Sequence, residues 1–108
     1  MVGEITARDL AAWLADDSRA KPVLLDVRED WEYALCHIAG SQQMVMNMVP
    51  LRHNELPDDV PIVTICHHGV RSFQVGLYLQ NAGFEQVLSL RGGVDAWANE
   101  VDPAMARY

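Results

Sequence analysis

Three short apolar runs, separated from one another by segments with helical spacing, constrain the fold of this chain more than any other feature. The runs are Pro22–Val27, Ile62–Ile65 and Gln86–Leu90. Continuous apolar runs of this length, rich in Val, Ile and Leu, are typical of strands that are buried on both faces of a parallel sheet. Because the runs alternate with helical segments, the sequence predicts an α/β domain with a central parallel sheet and helices on both faces.

Apolar residues recur at helical spacing in four segments around these runs. Thr6 is suited to cap the first segment, with Ile5 packing against Leu10 as a hydrophobic staple, and Gly83 stands where a helix C-cap glycine belongs. The four predicted helices cover residues 7 to about 16, Asp30–Leu35, Ser72–Ala82 and Asp95–Asn99. Two weaker patterns remain: Met44, Met46 and Met48 alternate as on one face of an extended segment, and the tail Val101–Tyr108 is expected at the surface.

Length and composition restrict the classes of protein to be considered. The 108 residues predict one domain over residues 1–108, and the 8 basic against 15 acidic residues give a net charge of -7, which argues against nucleic-acid binding. No apolar run is long enough to span a membrane, and Met1–Thr6 lacks the features of a signal peptide. Cys36 and Cys66 form neither a zinc pattern nor a disulfide framework. We therefore expect a cytoplasmic protein with reduced thiols.

The loop Cys66–Arg71 lies between the second apolar run and the third predicted helix. A thiol at such a position faces main-chain N–H groups, which favour a thiolate or a small anion. Gly69 allows a positive φ that turns the loop amides inward, and Arg71 adds a fixed positive charge. The loop has two further histidines, His67 and His68, and no carboxylate. These features predict that Cys66 is a nucleophile.

Three blocks of sequence occur together over most of the chain: Leu24–Glu29 with Glu32 and His37–Ser41; the loop Cys66–Arg71; and Gly83–Phe84 with Val87, Leu90, Gly92–Gly93 and Trp97. In their order and combination they resemble a rhodanese, a single-domain sulfurtransferase. The resemblance implies a rhodanese-like three-layer domain. It also implies that Gly92–Gly93 forms a turn near the active loop.

The resemblance further implies a two-step transfer of sulfane sulfur, from a donor such as thiosulfate to cyanide or a thiol, through a persulfide on Cys66. It makes Cys66 the catalytic residue and the rest of the loop the substrate-binding residues, namely His67, His68, Gly69, Val70 and Arg71. In these terms Arg71 shapes the loop and helps to hold an anionic donor. Neither a cofactor nor a metal is expected, and the partners are the sulfur donor and its acceptor, without nucleic acid or membrane.

Three alternatives stay open beside the thiosulfate sulfurtransferase. The related cell-cycle dual-specificity phosphatases have one more residue in the loop, so the six residues Cys66–Arg71 favour sulfur over a phosphatase or arsenate reductase. A non-catalytic rhodanese-like binding module often lacks the cysteine, which this chain keeps. A relay from a desulfurase to a protein acceptor would use the same persulfide.

The sequence departs from the family at two places. Many rhodaneses have Arg or Lys after the cysteine, where this chain has His67, so we expect donor use to improve toward pH 6 if an imidazole becomes charged. Cys36 replaces a frequent glycine and is interpreted as a packing residue. Asp26, Arg28 and Glu29 follow an apolar strand and could form either a general acid/base pair or a structural brace, and the resemblance favours the brace. A metal site is not expected, since adjacent side chains at 67 and 68 tend to diverge.

Overall fold

The computed structural model describes residues 2–108, and within that range the chain forms five strands and five α-helices. The strands are β1 (Gly3–Ile5), β2 (Val23–Asp26), β3 (Gln42–Gln43), β4 (Ile62–Ile65) and β5 (Val87–Leu90). The helices are α1 (Ala7–Ala15), α2 (Asp30–Leu35), α3 (Val49–Arg52), α4 (Val70–Asn81) and α5 (Gly93–Glu100). Short 3₁₀ turns at Met46–Met48 and His53–Glu55 flank α3.

All the strands pair in parallel, in the order β1-β5-β4-β2-β3. The central strand β4 is fixed on both sides, since Ile62 is in register with Val23 of β2 and with Val87 of β5. In open parallel sheets, ligands bind beyond the carboxyl ends of the strands. The carboxyl end of β4 leads directly to Cys66.

Each face of the sheet is covered by helices, which confirms the predicted α/β architecture. On one face, Leu24 and Val63 pack with Leu10 of α1 and Trp97 of α5. On the other face, the neighbouring strand positions pack against α3 and α4 in a second cluster that includes Leu25, Ile62, Val49, Val75 and Leu79. Cys66 belongs to this second cluster. Its side chain therefore lies on the α4 side of the sheet.

The longer elements lie where the sequence predicts them. β4 and α2 have the predicted bounds, and the Thr6 hydroxyl caps α1 by accepting a hydrogen bond from the N–H of Asp9 at 3.1 Å. Helix α4 begins two residues before the predicted Ser72, because Gly69 at φ +109° already serves as its N-cap. In the part of the chain that the structure describes, no helix is both long and apolar enough to cross a membrane.

The sequence prediction is wrong or incomplete for the shortest elements. The methionines do not line an extended segment, since Met46–Met48 form a 3₁₀ turn and Met44 is the buried one of the three. Strands β1 and β3 were not predicted. They are three and two residues long, lie at the edges of the sheet, and have no apolar run that would mark them.

The Gly92–Gly93 turn packs directly on the Cys66 loop, as the family resemblance implied. The N–H of Val94 donates to the Cys66 carbonyl at 2.9 Å, and the N–H of Asp95 donates to the His67 carbonyl at 3.1 Å. Gly93 has φ +60°, and a Cβ at this position would lie 2.3 Å from the Cys66 carbonyl oxygen. Gly93 must therefore lack a side chain for the Cys66 loop to pack against the start of α5.

We expect Gly93→Ala to lower the free energy of unfolding by about 3 kcal/mol or more, since it combines backbone strain with overlap against the loop. The matched control is Gly83→Ala, because Gly83 also has a positive φ, +107°, but a Cβ added there would point into open space. The control should cost only about 1 kcal/mol. Urea unfolding followed by circular dichroism measures both. Equal losses for the two variants would contradict this role of Gly93.

Candidate active site

Cys66 stands immediately beyond β4, with its sulfur directed into the loop that follows. The N–H of Gly69 donates to Sγ over 3.0 Å, and Cys66 is 1% exposed. The left-handed conformation of Gly69 turns this amide inward, as the sequence predicted. The Gly69 N–H thus places a donor dipole directly on the sulfur, and the burial limits access to slender reagents.

A buried pair of hydroxyl groups lies behind the sulfur. Ser72 Oγ is 3.4 Å from Cys66 Sγ and 2.8 Å from Ser89 Oγ, and both serines are fully buried. The hydroxyl of Thr64 donates to the Ser72 carbonyl at 2.8 Å and so fixes the first turn of α4 against β4. Since a hydroxyl can rotate, Ser72 can accept from a thiol or donate to a thiolate. Neither serine is among the site residues predicted from the sequence.

Arg71 is held by a carboxylate from α2. Its Nη1 and Nη2 donate to Oε1 and Oε2 of Glu32 at 2.7 and 2.9 Å, and the Glu32 side chain is 5% exposed. The ion pair raises the pKa of Arg71, and the hydrogen bonds from Arg71 lower the pKa of Glu32 to about 2. Glu32 thereby ties the active loop to α2. Both terminal nitrogens of Arg71 are engaged in this bidentate pair, which neutralises much of its charge.

Asp26 and Arg28 form the structural brace that the sequence analysis expected. Both side chains are fully buried, and Arg28 Nη2 lies 2.7 Å from Asp26 Oδ2. Arg28 also donates to the main-chain carbonyls of Glu32 at 3.3 Å and Cys36 at 2.6 Å, the last turn and C-cap of α2. The brace fixes α2 on the end of β2 and thereby positions Glu32. Cys36 is buried in the core cluster beneath α1 and α5, which agrees with a packing role.

The tail is mostly at the surface, but its residue Tyr108 reaches back to the loop. The Tyr108 hydroxyl donates to Glu32 Oε2 at 2.6 Å and accepts from Arg28 Nη1 at 3.0 Å. Its ring stacks on the imidazole of His67, with centroids 3.9 Å apart and planes 12° apart. This contact was not predicted, because a single tyrosine in the segment Val101–Tyr108 carries no local pattern that would reveal it.

The two histidines of the loop lie side by side, so the expectation that their side chains diverge is wrong. Their ring centroids are 3.9 Å apart, and His68 Nδ1 is 3.9 Å from Asp95 Oδ2. Burial, and secondarily the neighbouring His68, lower the pKa of His67 below its usual 6.5. The lowered pKa favours the neutral form of the His67 imidazole at pH 7, so a gain in anion binding from its charge is expected only at more acidic pH.

The structure brings all six predicted loop residues together at the carboxyl end of β4. Cys66 and Gly69 share a hydrogen bond, His67 stacks under Tyr108, and His68 faces Asp95. Val70 is 69% exposed at the first turn of α4. Arg71 is directed to Glu32. The site is a short loop around a buried thiol, with its permanent cation already paired.

A parallel α/β sheet with a cysteine loop of this kind defines a class of small cysteine-dependent domains, and the comparisons with known proteins identify the family. A family model described as a rhodanese-like domain matches residues 6–100, so the chain belongs to the rhodanese-like domain family.

Two curated relatives and one solved structure illustrate the likeness. A protein named "Sulfurtransferase" from Allochromatium vinosum is 39% identical over 106 residues, which cover 98% of this chain and 97% of the relative. The "Thiosulfate sulfurtransferase GlpE" of Haemophilus influenzae strain PittEE is 36% identical over 87 residues, or 80% and 82% of the two chains. The crystal structure of a rhodanese-like domain protein from Staphylococcus aureus superposes with a TM-score of 0.84 at 28% identity, and covers 93% and 95%. The homologues of this chain are thus named sulfurtransferases.

We expect Glu32→Gln to lower the free energy of unfolding at pH 7 by about 2 kcal/mol, because a charge-assisted bidentate pair is lost. The pKa of Glu32 is lowered from 4.5 to about 2 in the folded state, so its stabilising effect is complete above pH 4.5 and is lost as the pH falls toward 2. The difference between wild type and variant should therefore shrink over this range. Urea unfolding at several pH values measures it.

The control for this prediction is Glu55→Gln, which breaks the exposed pair between Glu55 and Arg52. An exposed pair contributes little to stability, so this variant should unfold almost like the wild type at pH 7. If the Glu32→Gln variant were as stable as the control, this would contradict the idea that the Glu32–Arg71 ion pair holds the loop on α2.

Removal of the Tyr108 ring should raise the pKa of His67 toward 6.5, since burial is the main cause of its lowering. We expect this shift in Tyr108→Ala, measured from the imidazole NMR signals during a pH titration. Tyr78→Ala is the matched control, because Tyr78 packs edge-on against His53 instead. An unchanged His67 titration in Tyr108→Ala would show that the stack does not exist in solution.

Proposed function

We propose that this protein is a sulfurtransferase that carries a sulfane sulfur as a persulfide on Cys66. The observation that carries the proposal is the hydrogen bond from the Gly69 N–H to Cys66 Sγ, 3.0 Å long, in the loop beyond the central strand. The sulfurtransferase names of its relatives support the same reaction class. We further propose that residues 1–108 act as one domain and that the protein works in the reducing cytoplasm, where its thiols persist.

The first step uses thiosulfate or a donor of similar chemistry. The Cys66 thiolate attacks the outer sulfur of the donor and forms a new S–S bond. The S–S bond of thiosulfate breaks, and its electron pair leaves with sulfite. The inner sulfur stays bonded to Cys66 Cβ, and the terminal sulfur of the persulfide occupies the loop, where main-chain N–H groups stabilise its negative charge.

The second step returns the free thiol. A thiolate or cyanide attacks the terminal sulfur, the persulfide S–S bond breaks, and the electron pair returns to Cys66 Sγ. The leaving thiolate is stabilised by the same Gly69 N–H, and the Ser72 hydroxyl at 3.4 Å is able to donate once the sulfur is ionised. Each step starts from an anionic nucleophile and releases an anionic leaving group, so neither step transfers a proton or requires a general base.

The remaining loop residues bind the donor in this proposal. His67, His68 and Val70 form the wall of the loop, and Gly69 supplies its inward amide. We assign Arg71 mainly the role of shaping the loop, because its terminal nitrogens donate to Glu32. Its charge would then act on the anion only by long-range electrostatic attraction and not by a direct hydrogen bond. Since the lowered pKa of His67 favours its neutral form, we expect weaker thiosulfate binding than in a loop with a free cation.

A protein acceptor is the second candidate, in which Cys66 relays sulfur from one protein to another. Exposed apolar side chains beside the loop favour it. Val70 is 69% exposed, and Trp31 is 62% exposed and contacts the edge of the Tyr108 ring that stacks on His67. Such side chains at the rim of a buried thiol are suited to a macromolecular contact.

We expect the intact protein to gain one sulfur atom on incubation with thiosulfate, because the loop stabilises the persulfide while no acceptor is present. Mass spectrometry of the whole protein measures the adduct. Addition of cyanide should remove it, with formation of thiocyanate.

The matched controls are Cys66→Ser, which should gain no sulfur, and Cys36→Ser, which should behave like the wild type because Cys36 lies in the core. A well-folded wild type without the adduct, tested with both thiosulfate and a polysulfide, would favour a binding module. The protein should not hydrolyse p-nitrophenyl phosphate, and robust turnover would favour a phosphatase.

A further inference from the structure

A cluster of three metal-ligating side chains lies at the junction of the active loop and α5. His67, His68 and Asp95 each offer one ligand atom, and these atoms all lie within 4.8 Å of one another. His68 Nδ1 lies 3.9 Å from Asp95 Oδ2. The sulfur-transfer proposal uses these groups only as part of the loop wall and gives Asp95 no role.

The main chain holds the three residues together independently of their side chains. The N–H of Asp95 donates to the carbonyl of His67 at 3.1 Å, and the neighbouring Val94 N–H donates to the carbonyl of Cys66 at 2.9 Å. The His67 ring is further fixed by its stack on Tyr108. The backbone positions of all three candidate ligands are therefore set before any metal binds, which reduces the entropy lost on binding.

The side chains of His68 and Asp95 would have to move before all three ligand atoms could contact one metal ion. Ligand atoms around a tetrahedral zinc ion lie about 3.4 Å apart, since the metal–ligand distances are about 2.0 to 2.1 Å. The side chains of His68 and Asp95 are 62% and 40% exposed, so both have room to move. The two imidazoles are tilted by only 31°, and the His68 ring must turn out of this stack to point its lone pair at a shared ion.

We propose that His67, His68 and Asp95 form a binding site for a divalent transition-metal ion of the zinc class, with water as the fourth ligand. Two imidazole nitrogens and one carboxylate suit Zn²⁺, Co²⁺ or Ni²⁺, whereas Mg²⁺ and Ca²⁺ prefer oxygen ligands alone. The net charge of -7 also favours the approach of a cation. The site does not depend on sulfur transfer, because it excludes Cys66.

The test uses the Cys66→Ser protein, so that the thiolate cannot bind the metal and the outcome is separate from that of the proposed function. Titration with Zn²⁺ in a calorimeter should show one binding event. In ¹H–¹⁵N imidazole spectra, the signals of His67 and His68 should shift. Those of His37 and His53, which lie outside the cluster, should stay in place and serve as internal controls.

The variants His68→Gln and Asp95→Asn, each made in the Cys66→Ser protein, should weaken Zn²⁺ binding at least about tenfold. Both side chains are exposed, so the variants should fold normally. Asp58→Asn, an exposed acidic residue in another loop, is the matched control and should bind as before. The proposal is overturned if Zn²⁺ gives no binding heat, if the ligand variants bind like the control, or if the shifts occur at His37 or His53.

Discussion

The hydrogen bonds between main-chain groups around Cys66 are the constraint on which the site depends. The Gly69 N–H is directed at the sulfur, while the Cys66 and His67 carbonyls accept from the start of α5. The loop therefore directs the Gly69 N–H toward the sulfur, while two of its carbonyls are paired with the start of α5. Gly69 and Gly93 both have a positive φ, and at Gly93 a Cβ would also overlap the Cys66 carbonyl, which explains why so short a segment can enclose a buried thiol.

The charged side chains around the loop are paired with one another. Arg71 is paired with Glu32, which is in turn held by Tyr108 and by the α2 backbone that Arg28 fixes. The chain as a whole carries a net charge of -7. In the proposed reaction, attraction of an anion would therefore depend on main-chain N–H dipoles at short range, since Arg71 is already paired with Glu32.

The sequence predicts a structural feature correctly where the residues that determine the feature are adjacent in the chain. The runs Val23–Asp26 and Ile62–Ile65, the cap at Thr6 and the cysteine loop all follow from local pattern, because burial on both faces and a strand-to-helix turn leave a mark on adjacent residues. The contacts of Tyr108 with Glu32 and His67 join positions far apart in the chain, so no local pattern predicts them. The buried Ser72–Ser89 pair likewise depends on how α4 packs on β5.

A crystal structure of the protein after a soak with thiosulfate tests the central claim most directly, since it shows both the bond to sulfur and the donors around it. The account predicts electron density for one additional sulfur continuous with Cys66 Sγ, lying inside the loop within hydrogen-bond distance of its main-chain N–H groups. It would be contradicted by an additional sulfur on Cys36, or by an unmodified Cys66 in a loop whose amides point outward.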